Sequence, residues 1–281
     1  MDVGLGLGPL TPPAPPVVAG ARPRERRFRI YNVGIAKTGT QSVAGIFANY
    51  RSLHEYLFAN TVEAIAQHAS GALSHAAFRD FIRWRDSVAR LDVDSSSYNA
   101  FYVDILAQEF TDAQFIFVLR DCWSWLDSML NMVLRIGPSM PSWMLEHCRV
   151  ILGPHLLPDL AQRPTQLSER LPALVDAGLR YWSSANRFVL EALPPQRSLV
   201  VRTAELSDSL PRLADFIGIP AATLRTDLRH VHRGPQRFHT LQQVDRAVLL
   251  VRYESDCADL MDTYFPTSTL ERFLLRDAAR D

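Results

Sequence analysis

The sequence predicts an α/β fold, with a mainly parallel central sheet flanked by helices. Three observations carry this. Short β-rich runs alternate with helical stretches along the chain. The run Phe115-Ile116-Phe117-Val118-Leu119 is apolar without interruption, the pattern of a strand covered on both faces in a parallel sheet. A glycine-containing loop, Gly34 to Ser42, lies between the first β-rich run and the first helical one.

In chain order, residues 1–23 hold six of the 18 prolines and a Gly-Leu-Gly-Leu-Gly run. Such a segment has few backbone donors and no periodic apolar face, so a disordered tail is expected, placed at 1–27. The arginines at 22, 24, 26, 27 and 29 read as a solvated lead-in to the first strand. A single domain is expected over 28–281. Its first strand is Phe28–Val33, followed by a helix from Thr40 to Tyr50 with Val43, Ile46 and Phe47 on one face. Helices are expected within 61–90 and over Ala100–Glu109. Then come a strand at Gln114–Leu119 and a helix from Trp123 to Leu134. Residues 136–165 are proline-rich and aperiodic, and a helical or lid region is expected around 130–165. A long amphipathic helix or helix pair follows at Leu167–Leu193, interrupted at Pro172. A third strand is expected at Ser198–Val201, and further helices at Leu210–Ile217 and Gln242–Leu260.

Composition excludes several classes. Lys plus Arg and Asp plus Glu both total 30, so there is no global basic field of the kind that holds nucleic acid through its phosphates. Three cysteines are too few and too scattered for a disulfide framework or a four-ligand zinc site. No proline-free apolar run of about 18 residues is present, so no membrane span is expected. A cytoplasmic protein is expected, with no secretory signal. Of the 30 basic residues only Lys37 is lysine, and it falls inside the glycine-containing loop.

Between a strand and a helix, Gly34-Ile35-Ala36-Lys37-Thr38-Gly39-Thr40-Gln41-Ser42 places backbone N–H groups around one point, which suits a phosphate. Gly39 permits close approach, Thr38, Thr40 and Ser42 add hydroxyls, and Lys37 adds a compact charge. The loop is not a Walker A sequence, whose lysine follows the last glycine; here the lysine precedes Gly39. A second phosphate receptor is expected where the apolar strand ends at Arg120, with Ser128 eight residues later.

Together these residues resemble the sulfotransferases that use 3′-phosphoadenosine 5′-phosphosulfate (PAPS), in particular bacterial-type members. Ala36-Lys37-Thr38-Gly39-Thr40-Gln41 is similar to the family's Pro-Lys-Thr-Gly-Thr-Thr, departing at Ala36 and Gln41. Arg120 and Ser128 match the Arg and Ser of its 3′-phosphate motif. Arg202-Thr203-Ala204-Glu205-Leu206 and Phe216-Ile217-Gly218-Ile219-Pro220 are weaker matches, with Thr203 and Ala204 departing from the family pattern. His232-Arg233-Gly234 is similar to a basic-glycine turn over the 3′-phosphate.

The resemblance implies a P-loop-like architecture, PAPS as donor and adenosine 3′,5′-bisphosphate as product, with no metal. It implies that Lys37 stabilises the leaving oxygen. Thr38, Gly39, Thr40, Gln41 and Ser42 would hold the 5′-phosphate. Arg120, Ser128, Arg233 and Gly234 would hold the 3′-phosphate. The acceptor would be a hydroxyl of a small molecule, glycan or lipid, and it needs a base. In several branches a Glu soon after the loop helix is that base, which points first to Glu55, then to His54, with Asp92 and Asp94 behind them. Asp94 also reads as an N-cap for a helix beginning near residue 96. Met129, Met132, Met140, Trp143, Met144, Trp182 and Phe188 read more readily as core than as an acceptor wall. A P-loop kinase or NTPase, and a catalytically silent nucleotide-binding protein of the same fold, stand as alternatives.

Overall fold

The computed structural model describes residues 25–136, 167–227 and 238–278. The expected tail up to residue 24, the expected lid over 137–165, and Arg233 and Gly234 lie outside the described residues.

The described chain runs β1 (Ile30–Asn32), α1 (Thr40–Ile46), β2 (Ser52–His54), α2 (Phe58–Ala69), α3 (His75–Ala89), β3 (Val93–Ser95), α4 (Val103–Glu109), β4 (Gln114–Leu119), α5 (Cys122–Ile136) and, after a long helix at Leu167–Ala192, β5 (Ser198–Arg202). The five strands form one sheet in the order β2-β3-β1-β4-β5. Every pairing is parallel, with Ile30 opposite both Val93 and Gln114. Parallel strands put all their carboxyl ends on one edge, so the loops leaving all five strands gather there. The chain leaves β1 toward β2 and leaves β4 toward β5. Neighbouring β1 and β4 therefore send their connections in opposite directions. The crevice between such a pair is where open α/β sheets bind ligands.

The apolar run of β4 supplies both cores. Phe115, Phe117 and Leu119 face one layer with Tyr31, Trp123, Trp125 and Trp182. Ile116 and Val118 face the other with Ile30, Val43, Ile46, Phe47 and Leu213. All are buried. Met129 and Trp182 belong to the first core, Met132 packs against it, and Phe188 is exposed. Met140, Trp143 and Met144 lie outside the described residues. Cys122 and Cys257 are buried free thiols, and burial pushes the Cys122 thiol well up.

Several boundaries differ from the sequence reading. The β2 and β3 strands, three residues each, carry Ser, His and Asp in place of an apolar run, and neither has a separate sequence signal. The first strand is only Ile30–Asn32, and α1 ends at Ile46, four residues before Tyr50. Asp94 is not an N-cap. The cap is Ser96, whose hydroxyl accepts from the Tyr98 N–H and starts a 3₁₀ turn at Ser97–Tyr102 ahead of α4. The helix Leu167–Ala192 runs through Pro172 without a break. Within 242–260 the expected single helix divides into a 3₁₀ turn, an α-helix, a π-turn at Tyr253–Cys257 and the start of a second α-helix at Ala258–Tyr264. At that π-turn Ser183 and Arg187, on the long helix, donate to the Asp256 carbonyl. A helix at Leu270–Ala278 also forms, without having been expected.

Of the arginines before β1, Arg26, Arg27 and Arg29 are docked where the sequence suggested solvation; Arg22 and Arg24 lie outside the described residues. Arg26 forks onto Asp86 at 2.8 and 3.0 Å, the Arg27 N–H donates to Asp92 at 2.8 Å, and Arg29 pairs with Asp112.

Candidate functional site

Four consecutive carbonyls of the loop after β1 are held by neighbouring groups. The Thr38 hydroxyl donates to Ile35 O (2.8 Å), and the Trp125 indole N–H donates to Ala36 O (2.7 Å). Arg120 donates through Nη1 to Lys37 O (2.9 Å), and Thr203 through its hydroxyl to Thr38 O (2.6 Å). Three of these donors stand at the carboxyl ends of β4 and β5 or on α5, so the loop is braced from that side. In a trans peptide the next N–H points opposite the carbonyl, so the amides of Lys37 and Gly39 turn away from the brace. The first backbone hydrogen bond into α1 is Val43 N–H to Gly39 O, and no side chain caps the helix. The amides of Thr40, Gln41 and Ser42 precede that bond.

Backbone conformation matches this use. Lys37 and Gly39 both adopt left-handed φ, 69° and 109°. For lysine this is a strained setting, worth about 1–3 kcal/mol, sustained by the surrounding hydrogen bonds. Gly34 has no room for a side chain: a Cβ there would lie 2.5 Å from Thr38 Oγ1 and 2.7 Å from the Val118 carbonyl. Lys37, Gly39, Gln41 and Ser42 are half-buried, while Thr38 and Thr40 are buried. The Thr38 hydroxyl therefore closes the loop on itself and does not point outward as a donor.

A buried polar network supports the loop from below. Asn32 donates to Ser95 Oγ (2.9 Å) and receives the Gly34 N–H (3.3 Å). Ser95 in turn donates a hydrogen bond from its hydroxyl to the Thr40 carbonyl (2.5 Å). Asn99 donates to the carbonyls of both Asn32 and Asp94 at 3.1 Å.

On the β2 side, Thr40 Oγ1 and His54 Nε2 are 3.0 Å apart, which joins α1 to the end of β2. His54 Nε2 is 3.7 Å from Glu55 Oε1. Ser97 donates to that same Oε1 at 2.8 Å. The Glu55 side chain is 25% exposed. Asp92 and Asp94 are committed elsewhere. Asp92 receives the main-chain N–H groups of Arg27 and Arg51. Asp94 is locked in a buried pair with Arg85. Burial works against the Arg85 charge, but the Asp94 carboxylate more than offsets it and holds the guanidinium above its ordinary value. On the β4 side, Arg120 also donates through Nε to Ser124 Oγ (3.0 Å), and Ser128 lies half-buried farther along α5.

The structure thus gathers Lys37 to Ser42, His54, Glu55, Ser97, Arg120 and Thr203 at one sheet edge. The bracing roles of Ser97 and Thr203 escape sequence reasoning because each acts on its neighbours' oxygens, although Thr203 lies within the weaker motif match at 202–206. Among the described residues, no group of three or more His, Cys, Asp or Glu could hold a metal ion. Among them too, no helix is long and apolar enough to cross a membrane.

A loop of braced carbonyls and outward amides, beside an ammonium at the edge of a parallel sheet, defines an α/β protein equipped to hold an oxyanion. Residues 29–226 match the family described as sulfotransferase domain, and the chain belongs to that family. No curated protein sequence matches it significantly. Similar solved structures include a sulfotransferase from Mycobacterium avium, with 14% identity, 87% of this chain and 78% of that chain covered, and a TM-score of 0.49. A sulfotransferase from Alicyclobacillus acidocaldarius has 17% identity, coverages of 83% and 98%, and a TM-score of 0.43. The sulfotransferase domain from the curacin biosynthetic pathway has 14% identity, coverages of 91% and 98%, and a TM-score of 0.40. The family assignment rests on the domain match.

Proposed function

We propose that this protein transfers a sulfuryl group from PAPS to a hydroxyl of a small molecule, glycan or lipid, releasing adenosine 3′,5′-bisphosphate. One observation carries the reading: in a sulfotransferase-family chain, the single lysine sits in a loop whose carbonyls 35–38 are held in place by neighbouring groups. The residues fit the donor. The amides of Lys37, Gly39, Thr40, Gln41 and Ser42 suit its 5′-phosphate, while the Thr38 N–H is bonded inward to the Ile35 carbonyl (3.3 Å). Arg120, with Ser128, suits its 3′-phosphate; Arg233 and Gly234, which the family resemblance adds to that subsite, lie outside the described residues.

When bound, the donor supplies an activated sulfuryl group on a phosphate leaving group. The acceptor oxygen bonds to sulfur, the bond from sulfur to the bridging oxygen breaks, and the acceptor proton passes to the protein. Lys37 places its ammonium where charge develops on the bridging oxygen, which replaces a metal in that task. Glu55 takes the proton. Its Oε2 has no hydrogen-bond partner among the described residues, whereas His54 Nε2 is engaged by Thr40. Arg120 has a double task, since the guanidinium that meets the 3′-phosphate also holds the Lys37 carbonyl.

Transfer of ³⁵S from labelled PAPS to a panel of phenols, sugars, lipids and secondary metabolites tests the reaction. Labelled product is expected with the native protein, and Lys37→Ala is expected to lose about 10²–10³ in kcat, as when an oxyanion donor is removed. Native-like transfer by that variant, with an unaltered circular dichroism spectrum, overturns the role of Lys37.

A further inference from the structure

The turn that carries Glu55 is built in an unusual way. Glu55 and Leu57 both take left-handed φ, 53° and 52°, on either side of Tyr56. Neither is glycine, so the turn persists only if other groups hold it. Two groups do. Arg85, on α3 and only 2% exposed, donates through Nε (3.2 Å) and Nη2 (2.9 Å) to the Tyr56 carbonyl, and its fork also grips Asp94 in β3. Ser97, fully within the fold, donates its hydroxyl to Glu55 Oε1 at 2.8 Å. The Glu55 N–H adds a third tie, to the Ser95 carbonyl at 3.1 Å.

We infer that Ser97 and Arg85 are positioning residues for Glu55: Arg85 fixes the turn through the Tyr56 carbonyl, and Ser97 pins Oε1 so that Oε2 is the atom presented to the acceptor. This rests on Glu55 being the proton acceptor. A carboxylate on a free surface turn samples many rotamers, and its bond to an acceptor hydroxyl forms in only a fraction of them. With one oxygen pinned and the backbone locked at Tyr56, the other oxygen keeps one direction. A displacement of about 1 Å at a reacting group costs about a hundredfold in rate. Loss of one of several ties costs less.

The argument predicts a particular pattern of kinetics. Ser97→Ala, Ser97→Thr and Arg85→Lys are each made in the native chain and in the Glu55→Gln background. Transfer is followed at saturating PAPS, and binding of adenosine 3′,5′-bisphosphate is measured by calorimetry. Ser97→Ala is expected to lower kcat about tenfold, with bisphosphate affinity unchanged within about twofold. Ser97→Thr retains the hydroxyl and restores at least half the native kcat. Arg85→Lys keeps the charge but cannot reach both Tyr56 O and Asp94 as a fork, so kcat falls while bisphosphate binding holds. In the Glu55→Gln background, neither Ser97→Ala nor Arg85→Lys lowers kcat further.

If Glu55→Gln is itself impaired but Ser97→Ala is neutral, or costs the same factor in both backgrounds, the positioning role is wrong and the base assignment stands. If Glu55→Gln turns over like the native protein, the base assignment falls and the positioning role with it. Should Arg85→Lys not fold, the Ser97 pair decides the question alone.

Discussion

In the proposed reaction, Lys37 concentrates the chemistry in one side chain. It is the only lysine in a chain with 30 basic residues. Lys37→Arg is therefore expected to be nearly as slow as Lys37→Ala, since a broad planar fork does not fit the place of a compact ammonium beside a half-buried loop. Steady-state transfer measurements check it. An amine-directed reagent offers a second approach: Lys37 is its one side-chain target, and bound bisphosphate should protect activity. Thr203 makes a different prediction. Thr203→Val keeps the shape but removes the proton shared by Thr38 O (2.6 Å) and Leu119 O (3.2 Å). It should cost about 1–3 kcal/mol in urea unfolding and weaken bisphosphate binding, with a smaller effect on kcat. At this scale the sequence pointed to Lys37, Gly39 and Arg120, the residues proposed to meet the donor, because their residue types have few substitutes at a phosphate. The positioning roles of Ser97, Thr203 and Arg85 stayed hidden because they work on carbonyls and on one carboxylate, and any neighbouring donor of the right reach could serve. Thr38 was misread in the same way: a hydroxyl in an anion loop can bond inward, and this one does.

Among the elements, β4 was legible and β2 and β3 were not, for a physical reason. A central strand covered on both faces must be apolar at every position, as Phe115 to Leu119 are. The three residues of β3 are buried as well, but Asp94 is paid for by Arg85 and Ser95 by Asn32, so burial leaves no apolar signature. That pair also gives the prediction for this scale. Arg85→Leu strands the Asp94 carboxylate in the interior and should cost about 3–5 kcal/mol by chemical denaturation. Changing Arg85 and Asp94 together to a packed apolar pair should recover much of that loss. Equal instability in the single and double variants would mean that the Arg85 grip on Tyr56 matters more to the fold than the ion pair. Helix boundaries followed similar logic: α1 stops at Ile46 because the chain must turn to lay β2 beside β3, and no feature of the residues up to Tyr50 announces that demand.

For the whole molecule, the all-parallel sheet determines what should be recognised. Its carboxyl edge carries local positive charge at Lys37 and Arg120, in a chain with no net charge. Adenosine 3′,5′-bisphosphate is therefore expected to raise the melting temperature, by about 2.7 kcal/mol of added stability at a hundred times its Kd, while ATP with Mg²⁺ gives much less. Equal shifts from both would favour the kinase or NTPase reading, which lacks a lysine after the last loop glycine.

Thr203 reaches the loop from 165 residues farther along the chain. A ribosome adding about 5–20 residues per second therefore needs roughly 8–33 s to deliver that brace after Thr38 has been made. Until β5 docks beside β4, the Thr38 carbonyl lacks its partner and the loop is braced only at the carbonyls of Ile35, Ala36 and Lys37. A nascent chain arrested before residue 198 should consequently bind bisphosphate more weakly than the full chain, even with β1 and Lys37 already synthesised. Full nucleotide affinity would then mark the moment when the far edge of the sheet closes.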